Sequence, residues 1–194
     1  MGCSPFYLAG CDEAGRGALA GPVVAAAVIL DYSSIDSSLL GDSKQLSGFE
    51  RERAYCMLRE SDSTIAFSII NHKVVDTINV LSASLLAMAR AVRYLPLQPH
   101  KVVVDGNKCP IIENVAVSSM VKGDQKLLEI SAASIVAKVI RDRIMNRYNT
   151  YFSEYRFEKH KGYGTKDHYD ALFQNGPCKI HRKSFSLSKQ LSLF

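Results

Sequence analysis

Two apolar, β-prone runs, "FYLAGC" and "PVVAAAVIL", stand a short step apart near the start of this chain, and the stretch between them breaks two folding rules at once. Asp12 and Glu13 set two mutually repelling carboxylates side by side at the end of the first run. Gly15, Gly17 and Gly21 then put three glycines into seven residues around Arg16, which weakens any strand or helix there. The flanking runs predict a strand pair or hairpin. The stretch between them has the character of a site, because local rules fail together most often where function overrides folding. Adjacent side chains on a regular strand face opposite ways, so Asp12 and Glu13 are expected to share a site through a turn at Ala14 and Gly15.

The rest of the chain alternates helix and strand signals. "SGFERERAYCMLRE" predicts a helix opened by a capping box of Ser47 and Glu50. "STIAFSII" predicts a third strand, "VLSASLLAMARAVRYL" a helix stopping before Pro96, and "KVVVDGN" a short buried strand ending in an acid and a glycine. "ENVAVSSMV" predicts one more strand, and a long helix is expected from Gly123 onward. Its small residues Ser131, Ala132, Ala133 and Ser134 would let it lie close on a sheet. A basic, aromatic remainder carries one further helix from near Thr165. Adjacent strands first and alternation afterwards point to an α/β fold with a mixed sheet.

The 194 residues suffice for one well-buried domain, and a composition of 47% hydrophobic and 22% charged residues is that of a globular protein. Five cysteines, without C-x-x-C spacing, support neither a disulfide framework nor a structural zinc site. Reduced thiols, the lack of a signal-like N-terminus and apolar runs too short for the ~20 residues of a bilayer span lead to the expectation of a cytoplasmic protein with no membrane association. The net charge of +5 suits a polyanionic partner without establishing one.

The acids fall at element boundaries: Asp12 and Glu13 after one buried run, Asp105 after another, Asp124 at the start of the long helix. Singly, Asp124 reads equally as a helix N-cap and Asp105 as a turn residue. Four carboxylates meeting in one site would need positive compensation. With no His or Cys among them, the hard cations Mg²⁺ or Mn²⁺ fit better than zinc.

The blocks "GCDEAGRGALAGPVVAAAVIL", "DSKQLS", "VVVDGN", "VKGDQKLLEISAASIVAKVIRDR" and "KHKGYGTKDHYDAL…GPCKIHRKSF" together resemble ribonuclease HII, the type 2 ribonuclease H family, in the family's order and to about Phe185. The resemblance implies a ribonuclease H-like fold, a central mixed β-sheet flanked by helices with a C-terminal helical substrate-binding part. It implies one catalytic domain over residues 1–187, with the core at about 1–150, the helical part at about 151–187, and a flexible tail at 188–194. It implies hydrolysis of RNA in RNA–DNA hybrids and cleavage 5′ of single ribonucleotides in duplex DNA, with two divalent ions held by Asp12, Glu13, Asp105 and Asp124. The family's G-R-G stretch, whose backbone reads the ribose 2′-hydroxyl, falls on Gly15, Arg16 and Gly17; its junction-sensing tyrosine falls on Tyr163. Ala18, Gln125 and "LLEISAAS" depart from the family's usual residues without touching the four acids.

Around these, Lys44 is a candidate phosphate contact. Lys126, Lys138, Arg141, Lys159, Lys161, Lys166, Arg182 and Lys183 are expected to form a basic track along a duplex. His160, His168 and His181 read either as acid–base groups or as hydrogen-bonding residues. The tail residues Gln190, Leu191, Leu193 and Phe194 resemble the motif by which bacterial replication proteins dock on the sliding clamp. Nothing in the sequence demands more than a monomer. The competing readings are another ribonuclease H-like nuclease of the junction-resolvase type and a non-catalytic nucleic-acid binding module.

Overall fold

A computed structural model describes residues 5–41, 43 and 45–185. Lys44 and the tail residues Gln190, Leu191, Leu193 and Phe194 lie outside the described residues. Five strands form one mixed sheet: β1 (Leu8–Ala14), β2 (Val23–Ile29), β3 (Thr64–Ile70), β4 (Lys101–Asp105) and β5 (Ala116–Met120), in the order β3-β2-β1-β4-β5. The first two form the expected antiparallel hairpin, β3 extends it antiparallel, and β4 and β5 add parallel on the other side of β1. All seven residues of β2 are buried, which explains why "VVAAAVI" shows no polar alternation.

One face of the sheet is covered by α3 (Val80–Arg93), which packs with Ala9, Cys11, Val23, Ala25, Val102 and Val104. The other face is covered by the long helix α4 (Leu128–Asn149) with α1 (Gly48–Glu60) beside it. At Gly10, a Cβ would stand 2.1 Å from the backbone carbon of Glu129, so only glycine lets α4 come this close to the strand that carries Asp12. Ser131, Ala132, Ala133 and Ser134 are all buried against the sheet, as their size predicts.

The capping box forms as read, with Ser47 N–H donating to Glu50 Oε2 at 2.7 Å and Glu50 N–H to Ser47 Oγ at 3.2 Å. The helix after Gly123 is corrected in one respect. A 3₁₀ turn, Gly123–Gln125, stands apart from α4 because Lys122 is left-handed (φ 55°) and Leu127 is extended. Asp124 therefore does not cap α4. A short helix that the sequence reading lacked, α2 (His72–Ile78), lies between β3 and α3 and meets α3 at a 120° bend. Asn71 caps α2 and Asn79 caps α3, the latter at φ 66°.

The last two helices are α5 (Phe157–His160) and α6 (Lys166–Asn175), the latter starting next to Thr165 as expected, with Thr165 as its N-cap. They form a separate apolar cluster with Leu19, Ala20, Met145 and Tyr155. Among the described residues, Cys11, Cys56, Cys109 and Cys178 are all free thiols, and no single helix is long and apolar enough to cross a bilayer.

Candidate active site

The parallel pairing of β1 and β4 sets the site. Cys11 registers with Val104, so Asp12 and Asp105 follow at the carboxyl ends of adjacent strands, where open α/β sheets place their ligands. A cleft of about 640 Å³ opens there, lined by Asp12, Glu13, Gly15, Arg16, Gly17, Ser43, Arg51, Asp105, Ser134, Lys138 and Tyr163. Asp124 is also buried, but it lines the neighbouring hollow with Leu40, Gly41 and Ser131. Asp105 Oδ1 accepts the N–H of Gly123, the residue before Asp124, at 2.7 Å.

Asp12 and Glu13 share the cleft by a different route from the expected turn. β1 continues regularly through Ala14, with Asp12 opposite Ala26 and Glu13 opposite Ala25. Asp12 Oδ1 accepts Glu13's own N–H at 2.7 Å, and both side chains line the cleft one and two residues before the strand ends at Ala14. Gly15, at φ 99°, then turns the chain.

Burial pushes the Asp12 carboxyl well above the ordinary carboxylate range, and the Glu13 charge adds to this; a hydrogen bond from Ser134 pulls the other way. Glu13 is also raised by burial, against the lowering effect of Arg16, whose Nη1 lies 3.2 Å from Oε1. These are carboxylates held where their charge is unwelcome. Among the described residues, no three His, Cys, Asp or Glu side chains are already gathered tightly enough to hold one ion. The chemistry of the donor set nevertheless fits a hard cation: the cleft offers carboxylate and hydroxyl oxygens and no imidazole or thiol.

The loop that follows the acids, residues 15–22, also lines the cleft and is held from behind. Isolated bridges pair Ala18 with Tyr163 and Ala20 with His181, and Leu19 N–H donates to Gly162 O at 2.8 Å. Tyr163 thereby shares the cleft with Gly15, Arg16 and Gly17. Arg141 lies 5.0 Å and Lys138 Nζ 5.6 Å from its ring centre.

The basic track is corrected at two positions. Arg141 and Arg182 are fully buried and touch backbone carbonyls, so neither reaches a phosphate. Lys126, Lys159, Lys166 and Lys183 are exposed, Lys161 is half-buried, and Lys138 lines the cleft.

The three histidines are buried and wired, and none lines the cleft. His168 Nδ1 lies 3.0 Å from Tyr163 O and must donate. Its Nε2, 3.0 Å from His181 Nε2, therefore accepts, and His181 Nδ1 accepts the Cys178 N–H at 2.9 Å. Burial lowers both His168 and His181 to about 4, so both are neutral. They hold the Tyr163 loop against α6.

Sequence reading missed Ser43, Arg51 and Ser134. Ser43 Oγ lies 2.8 Å from Ser134 Oγ, and Arg51 Nη1 donates to Ser43 O at 2.8 Å, so α1 and α4 together brace the loop beside Asp12. The capping box next to Arg51 and the small-residue stripe containing Ser134 marked the two helices but not their polar contacts.

A family model described as ribonuclease HII matches residues 9–188. Ribonuclease HII 2 of Methylibium petroleiphilum is 49% identical over 97% of this chain and 86% of its own length. The crystal structure of ribonuclease H2 from Pyrococcus horikoshii OT3 superposes with a TM-score of 0.77 at 26% identity, covering 97% of this chain and 98% of the other. The RNase HII of a PCNA:RNase HII complex from Archaeoglobus fulgidus gives 0.79 at 24% identity, over 93% and 95%. Bst-RNase HIII in complex with Mn²⁺ gives 0.65 at 17%, over 97% and 70%. The last two likenesses are of fold alone, but the family match spans nearly the whole chain and the sheet is the expected mixed one flanked by helices. This chain belongs to the ribonuclease HII family, the endonucleases that act on RNA–DNA hybrids.

Proposed function

We propose that this chain hydrolyses the RNA strand of RNA–DNA hybrids and cuts duplex DNA on the 5′ side of a single embedded ribonucleotide, leaving 3′-hydroxyl and 5′-phosphate ends, in the service of ribonucleotide and RNA-primer removal. The observation that carries this reading is the cleft itself, which Asp12, Glu13 and Asp105 line together with Gly15, Arg16, Gly17 and Tyr163. A bare nucleic-acid binding module has no use for buried, mutually repelling acids. A junction resolvase has no use for a glycine loop beside them.

Asp12, Glu13, Asp105 and Asp124 would hold two Mg²⁺ or Mn²⁺ ions, which supply water activation and charge stabilisation at a phosphodiester. The protein's own part is to set the acids and the strand. Ser134 fixes the Asp12 carboxylate, and Arg16 partly neutralises Glu13. The peptide N–H groups of Arg16 and Gly17 donate to the 2′-hydroxyl, the group that separates RNA from DNA at one nucleotide. Tyr163 packs on the next sugar, where a 2′ substituent would collide. Lys44, Lys126, Lys138 and the exposed lysines of the C-terminal part hold phosphates, which gives an affinity that falls steeply with salt.

The tail residues Gln190, Leu191, Leu193 and Phe194 are proposed to dock on a sliding clamp and so raise the enzyme's local concentration on DNA. The chain acts as a cytoplasmic monomer.

One assay tests the reading. Duplex DNA with one ribonucleotide, the all-DNA duplex and a four-way junction are each offered with Mg²⁺, Mn²⁺ or chelator. Cutting is expected only at the ribonucleotide and only with metal. Cutting of the junction, or metal-independent cutting, would overturn it.

A further inference from the structure

Arg182 is a fully buried guanidinium whose hydrogen bonds all go to backbone carbonyls. Its Nη2 donates to Gly15 O at 2.7 Å and Gly21 O at 3.0 Å, its Nη1 to Arg16 O at 2.8 Å, and its Nε to Gly21 O at 3.1 Å. Its carbon lies 5.2 Å from the Phe185 ring centre. A buried cation is costly, and here, beside the favourable charge of Asp76, charge-assisted bonds to three carbonyls offset that cost. The cost is borne at one place, the loop that follows the acids.

The direction of those carbonyls matters. In a trans peptide the C=O of one residue and the N–H of the next point opposite ways. No cis peptide occurs among the described residues. With Gly15 O and Arg16 O both turned onto Arg182, the N–H groups of Arg16 and Gly17 are turned away from it, toward the cleft these residues line. Neither N–H donates a hydrogen bond within the described residues. A Cβ placed on Gly17 would meet nothing within 4 Å, so a substrate can come close to the backbone at this residue. Arg141 braces the same loop further along, donating to Ala20 O, Pro22 O and Lys161 O at 3.0–3.2 Å.

We propose that Arg182 is a positioning residue for ribonucleotide discrimination: by holding the Gly15 and Arg16 carbonyls it fixes two peptide N–H groups as a preset donor pair for the 2′-hydroxyl. The inference rests on the reading of Gly15, Arg16 and Gly17 given above and adds the part that makes the donors rigid. A lysine keeps the charge but not the planar fork that spans three carbonyls, so Arg182→Lys should free the loop. Phe185→Leu is a milder variant that keeps the guanidinium and removes only the ring beside it.

The test is the ratio of dissociation constants for the all-DNA duplex and the same duplex with one ribonucleotide, measured in Ca²⁺ by fluorescence anisotropy, beside steady-state kinetics in Mg²⁺. For the wild-type chain a preference of about tenfold is expected, the worth of one or two hydrogen bonds. Arg182→Lys should bring the ratio close to one by weakening only the ribonucleotide complex. In turnover, KM at the ribonucleotide should rise about tenfold with a smaller change in kcat. Phe185→Leu should lower the ratio by about threefold, and it carries the test if Arg182→Lys does not fold. A wild-type ratio retained by a folded variant overturns the role of Arg182. A wild-type chain with no preference overturns the 2′-hydroxyl reading itself, and this inference with it.

Discussion

Two buried polar regions lie back to back in this protein, and they obey opposite rules. At the rim of β1 and β4, Asp12 and Glu13 are held against their own repulsion, and burial drives both toward the neutral form. Behind the glycine loop, Arg141, Arg182, His168 and His181 are equally buried, yet their ring and guanidinium nitrogens meet carbonyls, a ring nitrogen or an amide. The first region is left unfavourable until something enters it. The second is complete without a ligand and serves to hold the loop beside the first. A satisfied buried network specifies geometry, whereas an unsatisfied one marks where chemistry is done.

The sharpest way to break this contrast is Asp12→Asn. Since Asp12 keeps its proton in the folded metal-free protein at pH values where the unfolded chain has lost it, stability falls as pH rises above the ordinary carboxylate range. The amide removes that penalty. Asp12→Asn should therefore cut turnover by roughly a thousandfold or more while raising the melting temperature of the chelated protein at neutral pH. Added Mn²⁺ should stabilise the wild type and not the variant. A variant that is inactive and less stable than wild type at every pH would place Asp12 among the structural residues.

Gly17→Ala probes the loop between the two regions. Gly17 is not at positive φ, and its Cβ would touch nothing in the protein. Alanine there costs the fold nothing and should stabilise it by up to about 1 kcal/mol through the unfolded state. In the cleft the same methyl stands where the ribose must approach, so kcat/KM at a single ribonucleotide should drop about a hundredfold. Full activity with the alanine would show that the substrate does not come up to this backbone.

How far the contrast was legible in the sequence differs by region. The acid rim announced itself, because a buried strand ending in a carboxylate and a glycine is a local pattern, and it occurs at Asp12 and again at Asp105. The hairpin, the capping box at Ser47 and the small-residue face of α4 were equally local. The clamp was not. Arginines read by default as surface cations, and only the fold shows that Arg182 lies behind residues more than 160 positions earlier. The same holds for Ser134 and Ser43, which meet across 91 positions. The helix α2 escaped because seven residues cannot show a helical period, although its caps Asn71 and Asn79 were there to be read.

Ser134→Ala sharpens the contrast from the acid side. Without the hydroxyl that lowers it, the Asp12 carboxyl should titrate still higher. The acidic limb of the pH–rate profile should then move upward, and activity near neutrality should fall about tenfold, the usual effect of losing a partner that orients a ligand. An unmoved limb would mean that Asp12 is not the group titrating there.

The smallest effect on turnover, and a distinct one on stability, belongs to the histidine wire. His168 and His181 are held at about 4 against an unfolded value near 6.5. Between those values the unfolded chain takes up protons that the folded chain refuses. Stability from these rings is thus fully present above about pH 6.5 and is lost as pH falls toward 4. Each ring contributes on the order of 3 kcal/mol across that window, a slope opposite in sign to that from Asp12. In urea titrations from pH 7.5 to 4.5, His181→Gln should flatten the wild-type decline. It should leave kcat at pH 7.5 within about twofold, because a neutral ring carries no proton to the cleft. A large loss of kcat at pH 7.5, with the unfolding midpoint unchanged, would move His181 from the region that holds geometry to the one that performs chemistry.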